Sequence, residues 1–344
     1  MTAPSTMPYR SLGRSSLKVS PICLGTMMFG GRADETASAA IVARAREDGV
    51  NFIDTADQYT DGLSEEIVGR AIKGDRDWWV LATKVGNPGG PGPNDRGLGK
   101  SWVTRACDRS LKRLGTDVID IYYLHLEDPT TALEETIAAV GDLMRQGKIR
   151  HFGVSNFRSW RIAEIVRLCD AIGIDRPVVS QPYYNALNRQ PEVEQLPVCD
   201  HYGMGVVPYS PLARGVLTGK YLPDAEPPPD SRAAAKDKRM LETEWRPESL
   251  DIAQTIKAHA ESRGTTAGRF AFAWLLNNRI VSSVLAGPRT LEQWDDYLAA
   301  LDYDFSVDDE AFMNRMVPAG HPSTYGYSDP RYPLEGRPTW TDLE

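Results

Sequence analysis

The 344 residues carry 47 Asp and Glu against 39 Lys and Arg, and the resulting net charge of −8 argues against nucleic acid or an anionic membrane surface as the main partner, since either favours a basic face. With 41% hydrophobic and 25% charged residues the chain reads as an ordinary soluble globular protein with enough apolar content for a sizeable core. No run approaches the roughly 18 apolar residues of a spanning helix and residues 1–8 have no apolar signal core, so a cytoplasmic location is expected.

Residues 9–20 read as a β-hairpin around a Gly-Arg-Ser-Ser turn, and a strand over 21–25 begins a repeating pattern. A helix over 34–48, opened by Asp34 and closed by Gly49, leads into a strand over 50–54 that stops at Asp54, with Tyr59 five positions later. Helix 64–73 precedes strand 79–84, which ends in Lys84, and helix 101–114 precedes strand 118–124, which runs into His125. Helix 131–146 with strand 151–154, helix 159–172 with strand 177–181, and helix 191–202 with strand 204–208 follow. A longer helical region over 248–277 comes before the last strand, 281–286, and a final helical stretch covers 307–316.

Eight such strands, each followed by helical sequence, predict an α/β chain closed as a (β/α)8 TIM barrel, because an open sheet of that size needs a reversal of strand order that the pattern lacks. The expected organisation is one domain over 1–344: hairpin 9–20, barrel 21–301, and C-terminal helix and tail 302–344. The loops 86–99 and 212–247 are long for a compact domain and are expected to act as lids. Cys23, Cys107, Cys169 and Cys199 form no C-x-x-C pair, which predicts reduced, mostly buried thiols. Gly99-Lys100-Ser101 is not a phosphate loop, since Asn94 stands where that pattern needs glycine. The run His125-Leu126-Glu127-Asp128 lacks helical ligand spacing, and no catalytic metal is expected.

A parallel barrel sends every strand's carboxyl end to one rim, so Asp54, Tyr59, Lys84 and His125 are expected to converge there. Singly, each has a bland reading as a helix cap, a solvated strand end or a satisfied loop histidine. Together they carry a specific chemistry. The pattern Phe52-Ile53-Asp54-Thr55-Ala56 through Tyr59, then Ser64-Glu65-Glu66 and Gly69, resembles the aldo-keto reductase family, and its form is similar to that of the bacterial reductases related to potassium-channel β subunits. Leu24-Gly25-Thr26-Met27, Gly153-Val154-Ser155-Asn156-Phe157, Gln181 with Tyr184-Asn185, and Tyr209-Ser210-Pro211-Leu212 extend the resemblance over about residues 9–316.

The resemblance implies reduction of an aldehyde or ketone by hydride from NADPH, NADH being the other possible donor, with Tyr59 as proton donor. Lys84 would lower the Tyr59 pKa, Asp54 would hold Lys84, and His125 would orient the carbonyl oxygen. It also implies that Gly25, Thr26 and Met27 flank the cofactor, that Ser155, Asn156 and Gln181 bond its carboxamide, and that Tyr209 stacks on its ring. Ser210, Leu212, Arg214, Gly215 and Lys220 would clasp the pyrophosphate, and Gly287, Arg289 and Gln293 the adenosine phosphate, which favours NADPH. Where the family usually has Glu-Asn for the ribose edge and adenine, this chain has Asp296-Tyr297.

The acidic balance suggests small neutral carbonyl substrates, with the oligomeric state unreadable. A second reading, as a cofactor-sensing regulatory subunit resembling potassium-channel β subunits, ranks lower because no long N-terminal inactivating extension is present. The tail 321–344 carries Tyr325, Tyr327, Tyr332 and Trp340. It is expected to pack beside loop 86–99 and to form an apolar mouth around Tyr59, favouring bulky or cyclic ketones.

Overall fold

Successive strand residues point to opposite faces, and in this chain both faces are apolar, so the sheet must be covered outside and filled inside. The computed structural model describes residues 7–332. Strands β1 (Arg10–Ser11) and β2 (Lys18–Val19) form the antiparallel hairpin. Eight parallel strands follow: β3 (Ile22–Gly25), β4 (Phe52–Asp54), β5 (Val80–Val85), β6 (Ile119–Leu124), β7 (Ile149–Ser155), β8 (Val179–Gln181), β9 (Gly205–Val206) and β10 (Val284–Ala286). They neighbour one another in sequence order, with β10 beside β3. The ring closes between β9 and β10, where Ser282 N–H donates to the Val206 carbonyl at 2.9 Å and Leu285 N–H to the Pro208 carbonyl at 3.1 Å. The fold is the expected (β/α)8 barrel with its N-terminal hairpin.

Helices α1 (Glu35–Glu47), α2 (Leu63–Ile72), α3 (Lys100–Leu114), α4 (Leu133–Arg145), α5 (Ser159–Ile172) and α6 (Gln195–Tyr202) cover the first part of the ring. Further on come α7 (Lys238–Thr243), α8 (Pro247–Ser262), α9 (Ala267–Asn277), α10 (Leu291–Leu298) and α11 (Val307–Met316). The expected single helical region over 248–277 is two helices. Gly264 turns the chain at φ +73°, and the Thr266 side chain caps α9 by accepting from Arg269 N–H. Loop 212–247 also contains more order than its composition suggested: a 3-10 turn over Ala213–Thr218 and α7, capped by Asp237.

Two apolar clusters follow the alternation. Ile53, Leu81, Tyr122 and Leu124 join the large cluster beneath the helices. Phe52, Val80, Ala82, Ile121 and Tyr123 fill the barrel with Leu12 and Val19 of the hairpin, which plugs the amino-terminal end. Continuing the inward parity past Phe52 reaches Asp54, past Val80 and Ala82 reaches Lys84, and past Ile121 and Tyr123 reaches His125. Register then sets their heights, with Asp54 beside Ala82 and Lys84 beside Tyr123.

Two glycines are dictated by close approach. A Cβ on Gly69 would lie 2.3 Å from the Leu114 carbonyl oxygen, so α2 and α3 touch there, and one on Gly153 would meet Val179 at 2.6 Å and the Tyr123 ring at 2.7 Å. All four cysteines are free and buried. Among the described residues no helix is long and apolar enough to cross a membrane.

The tail reaches loop 86–99 where Arg331 meets Asn87, while residues 323–329 are held by polar contacts to Arg239 and Arg246. Arg239 grips Asp329 with two hydrogen bonds of 3.0 and 2.7 Å, and Arg246 donates to Thr324 and Ser323 at 2.9 and 3.0 Å. Tyr327 packs under the Arg246 guanidinium, while Tyr325 is fully solvent-exposed and adds nothing to the expected apolar mouth. Trp340 lies outside the described residues.

Candidate active site

Lys84 is the centre of the rim. Its fully buried ammonium donates to Asp54 Oδ1, to the Thr55 carbonyl at 2.7 Å and to the Tyr59 hydroxyl at 3.2 Å, so each of its three protons has a partner. The second Asp54 oxygen accepts from Gln181 Nε2 at 3.0 Å. Tyr59 comes from a tight turn after β4, in which Thr60 and Asp61 are left-handed and Thr60 Oγ1 donates to the Phe29 carbonyl at 2.9 Å. The rings of Tyr59 and His125 meet edge to face, 6.1 Å between centres. All four residues singled out from the strand ends are therefore together.

Burial alone would lower the Lys84 pKa, but the Asp54 and Tyr59 charges outweigh it and hold the ammonium above its ordinary range. Desolvation also raises Tyr59, and the Lys84 charge only partly offsets it. The expected net depression of the phenol is thus not found: Tyr59 keeps its proton at neutral pH, while Lys84 stands where it would stabilise the phenolate once the proton leaves.

His125 is oriented through a residue that the sequence reading did not single out. Arg331, in the tail, donates from Nη2 to Asn87 Oδ1 at 2.8 Å. A guanidinium has only donors, so the Asn87 amide nitrogen faces His125 Nδ1, at 3.1 Å. Nδ1 accepts, which places the proton of the neutral imidazole on Nε2. Desolvation first, then the Lys84 and Arg331 charges, keeps His125 well below the usual imidazole range.

A cavity of about 960 Å³ opens from Tyr59 and His125 across the carboxyl ends of the strands. That is at the large end of small-molecule sites, roughly 300–1,000 Å³. Gly25, Thr26 and Met27 form one edge beside Asp54, and Ser155, Asn156, Gln181 and Tyr209 form the floor. Asn156 has no N–H to spare: its Nδ2 donates to the His125 carbonyl at 2.9 Å and to Ser155 Oγ at 3.0 Å. Its Oδ1 accepts from the Tyr209 hydroxyl at 2.8 Å, and Ser155 Oγ donates to the Gln181 carbonyl at 2.9 Å. What this floor can offer a bound carboxamide is mainly acceptors, Asn156 Oδ1 and Gln181 Oε1. Tyr209 lays one face on Tyr183, with ring centres 5.6 Å apart.

The far end of the cavity is cationic. Ser210, Leu212, Arg214, Gly215 and Lys220 line it, as do Gly287, Arg289, Gln293, Asp296 and Tyr297. Ser210, Ala213 and Arg214 are all left-handed, a concentration of strain suited to a loop shaped around a ligand. Arg214 Nε is buried without a hydrogen-bond partner among the described residues. Lys220 is pushed below its ordinary pKa by burial and then by Arg289, Arg232 and Arg32. Arg214, Lys220 and Arg289 crowd together with no ion-pair partner among the described residues, an arrangement that fits phosphate groups, so the residues present suit a dinucleotide. Arg289 N–H donates to Gln293 Oε1 at 2.9 Å at the start of α10. The Asp296 carboxylate is neutralised by Arg269 Nε at 2.7 Å, and Tyr297 packs on Phe272 with ring centres 5.2 Å apart.

Other matched residues hold the scaffold. Ser64 Oγ bridges Thr26 at 2.9 Å and Thr55 at 3.0 Å, and buried Glu65 accepts from Thr83 at 2.5 Å and from Arg113 at 2.6 Å. Glu127 and Asp128 are likewise engaged, Glu127 by Arg158 and Arg161 and Asp128 by Leu98 N–H, Thr130 and Thr131. Asn87, Arg269, Arg239 and Arg331 had no local signature, since each acquires its place only from a distant partner.

Residues 21–316 match the model of the aldo/keto reductase family. The chain is 37% identical over 303 residues to a probable voltage-gated potassium channel subunit beta of Arabidopsis thaliana, covering 86% of this chain and 92% of that one. An uncharacterized oxidoreductase of Bacillus subtilis, YrpG, is 36% identical over 324 residues, covering 91% and 96% respectively. The L-glyceraldehyde 3-phosphate reductase of Escherichia coli O157:H7 is 32% identical over 326 residues, covering 91% and 93%.

Proposed function

We propose that this chain, which belongs to the aldo/keto reductase family and is an oxidoreductase, reduces an aldehyde or ketone to the alcohol with NADPH as hydride donor and Tyr59 as proton donor. The observation that carries this reading is the three-way bond of Lys84 to Asp54, Thr55 and Tyr59 beneath the cavity. NADPH, when bound, supplies the hydride. The substrate oxygen lies between the Tyr59 hydroxyl and His125 Nε2–H, and Tyr59 passes its proton to that oxygen as negative charge builds there. The Lys84 ammonium stabilises the phenolate left behind, and Asp54 keeps that ammonium charged and in place. Asn156 and Gln181 accept from the carboxamide, the free face of Tyr209 supports the nicotinamide ring, and Arg214, Lys220 and Arg289 meet the phosphates.

The preference for NADPH rests on Arg289, which has no carboxylate partner among the described residues, and on the Arg269 pairing that removes Asp296 as a free charge against a 2′-phosphate. Arg289→Ala is expected to weaken NADPH by about 1.5–3 kcal/mol, the worth of a charge-assisted contact, and NADH far less. Titrating both cofactors by protein fluorescence checks this, and equal losses would place Arg289 elsewhere.

A carbonyl panel followed by loss of NADPH absorbance tests the reaction itself. The likeness to a potassium channel subunit beta favours one other reading, in which cofactor occupancy regulates a partner. Tight NADPH binding with no turnover on any aldehyde or ketone would favour that reading over reduction.

A further inference from the structure

The cations around the cavity divide into three groups. Arg232, Arg239 and Arg269 are paired with Asp237, Asp329 and Asp296 at 2.8, 2.7 and 2.7 Å. Arg214, Lys220 and Arg289 have no ion-pair partner among the described residues and line the end assigned to the phosphates. Arg331 is the remaining one. It lines the cavity at the opposite end, beside His125, and no carboxylate lies within ion-pair distance of it among the described residues.

Arg331 is held there rather than left to wander. Asp329 is clamped by both nitrogens of Arg239, and its Oδ1 also accepts from Arg331 N–H at 2.9 Å, a local turn that aims the following side chain at the mouth. One guanidinium N–H is spent on Asn87, which leaves an edge of the fork open toward the cavity. The mouth is therefore charged, where an apolar one was expected. In a chain of net charge −8, a cation fixed at the mouth also offsets the repulsion that an approaching anion would meet.

We infer that the substrate carries an anionic group, a carboxylate or a phosphate, on the same molecule as its carbonyl, and that Arg331 grips it. This rests on the carbonyl-reductase reading above. The substrate is then read at both ends along one chain of contacts: Arg331 takes the anion, Asn87 links Arg331 to His125, and His125 receives the carbonyl oxygen.

The test compares 4-carboxybenzaldehyde and 4-formylbenzenephosphonate with the neutral 4-carbamoylbenzaldehyde, in the wild type, Arg331→Gln and Arg331→Lys. The readout is the ratio of kcat/KM for each anion to that for the amide within one variant, which cancels any general loss through Asn87 and His125. A wild-type ratio of about ten- to a hundredfold is expected for at least one anion. It should fall to near unity in Arg331→Gln and recover in part in Arg331→Lys. Whether the carboxylate or the phosphonate gives the larger ratio identifies the group. A wild-type ratio near unity, or one unchanged by Arg331→Gln, overturns the proposal. Equilibrium binding of the same compounds to the NADPH-loaded protein is measured in parallel. If nothing is turned over, the reductase reading fails, and the anion site stands or falls on whether Arg331→Gln abolishes selective binding of the anions.

Discussion

Tyr59→Phe is expected to lower kcat by a factor on the order of 10²–10⁴, the usual contribution of a positioned general acid, while changing NADPH affinity little. The phenol hydrogen-bonds Lys84 at 3.2 Å and makes no hydrogen bond to Arg214, Lys220 or Arg289 among the described residues, so its loss removes the proton while leaving the proposed phosphate contacts in place. Lys84 keeps Asp54 and the Thr55 carbonyl as partners, and the fold should survive. Steady-state kinetics with NADPH quenching of protein fluorescence separates the two effects. An unchanged kcat would remove Tyr59 from the role of proton donor.

Lys84→Met is expected to destabilise the protein by about 3–5 kcal/mol, the cost of leaving one member of a buried ion pair without its partner. Asp54 is fully buried, and among the described residues Gln181 alone would remain to satisfy its carboxylate. Burial already raises the Asp54 pKa, and Lys84 is the largest influence opposing it. Without Lys84 the carboxyl rises further, so the folded variant binds a proton that the unfolded chain does not. Its stability therefore falls as pH rises through that raised value, and its deficit against the wild type shrinks on acidification from neutral toward about pH 5. Urea midpoints at the two pH values measure this, and Asp54→Asn in the same variant should recover part of the loss. A deficit below about 1 kcal/mol at neutral pH would mean that the pair is not sealed from water.

The strand count and the inward positions of Asp54, Lys84 and His125 were legible because they depend on periods of a few residues. Phe52 to Asp54, Val80 to Lys84 and Ile121 to His125 alternate between the same two environments, and any parallel closure of these runs brings their ends to one rim. Glycines at fixed offsets, Asp34 as a cap and the apolar stripes of the helices are local in the same sense. The break at Gly264 was also written in the chain, as Gly-Thr-Thr before α9, but continuous apolar periodicity on both sides masked it.

What only the tertiary structure decided is the hydrogen-bond accounting and the charge balance of the cavity. That Asn156 has no donor left, that burial outweighs Lys84 at the Tyr59 phenol, and that Asp296 is cancelled by Arg269 all follow from partners brought together by closure of the ring. The clearest case is Arg331, 244 positions from Asn87, whose guanidinium sets the tautomer of His125 and makes the mouth cationic. In the sequence it is one more charged residue in a tail whose aromatic rings suggested an apolar mouth. Its meaning comes from a clamp between Arg239 and Asp329, two side chains 90 positions apart. Alternation along a strand is dictated by backbone geometry and so belongs to the sequence; which donor meets which acceptor across the barrel mouth depends on where distant backbones stop, and only the folded chain fixes that.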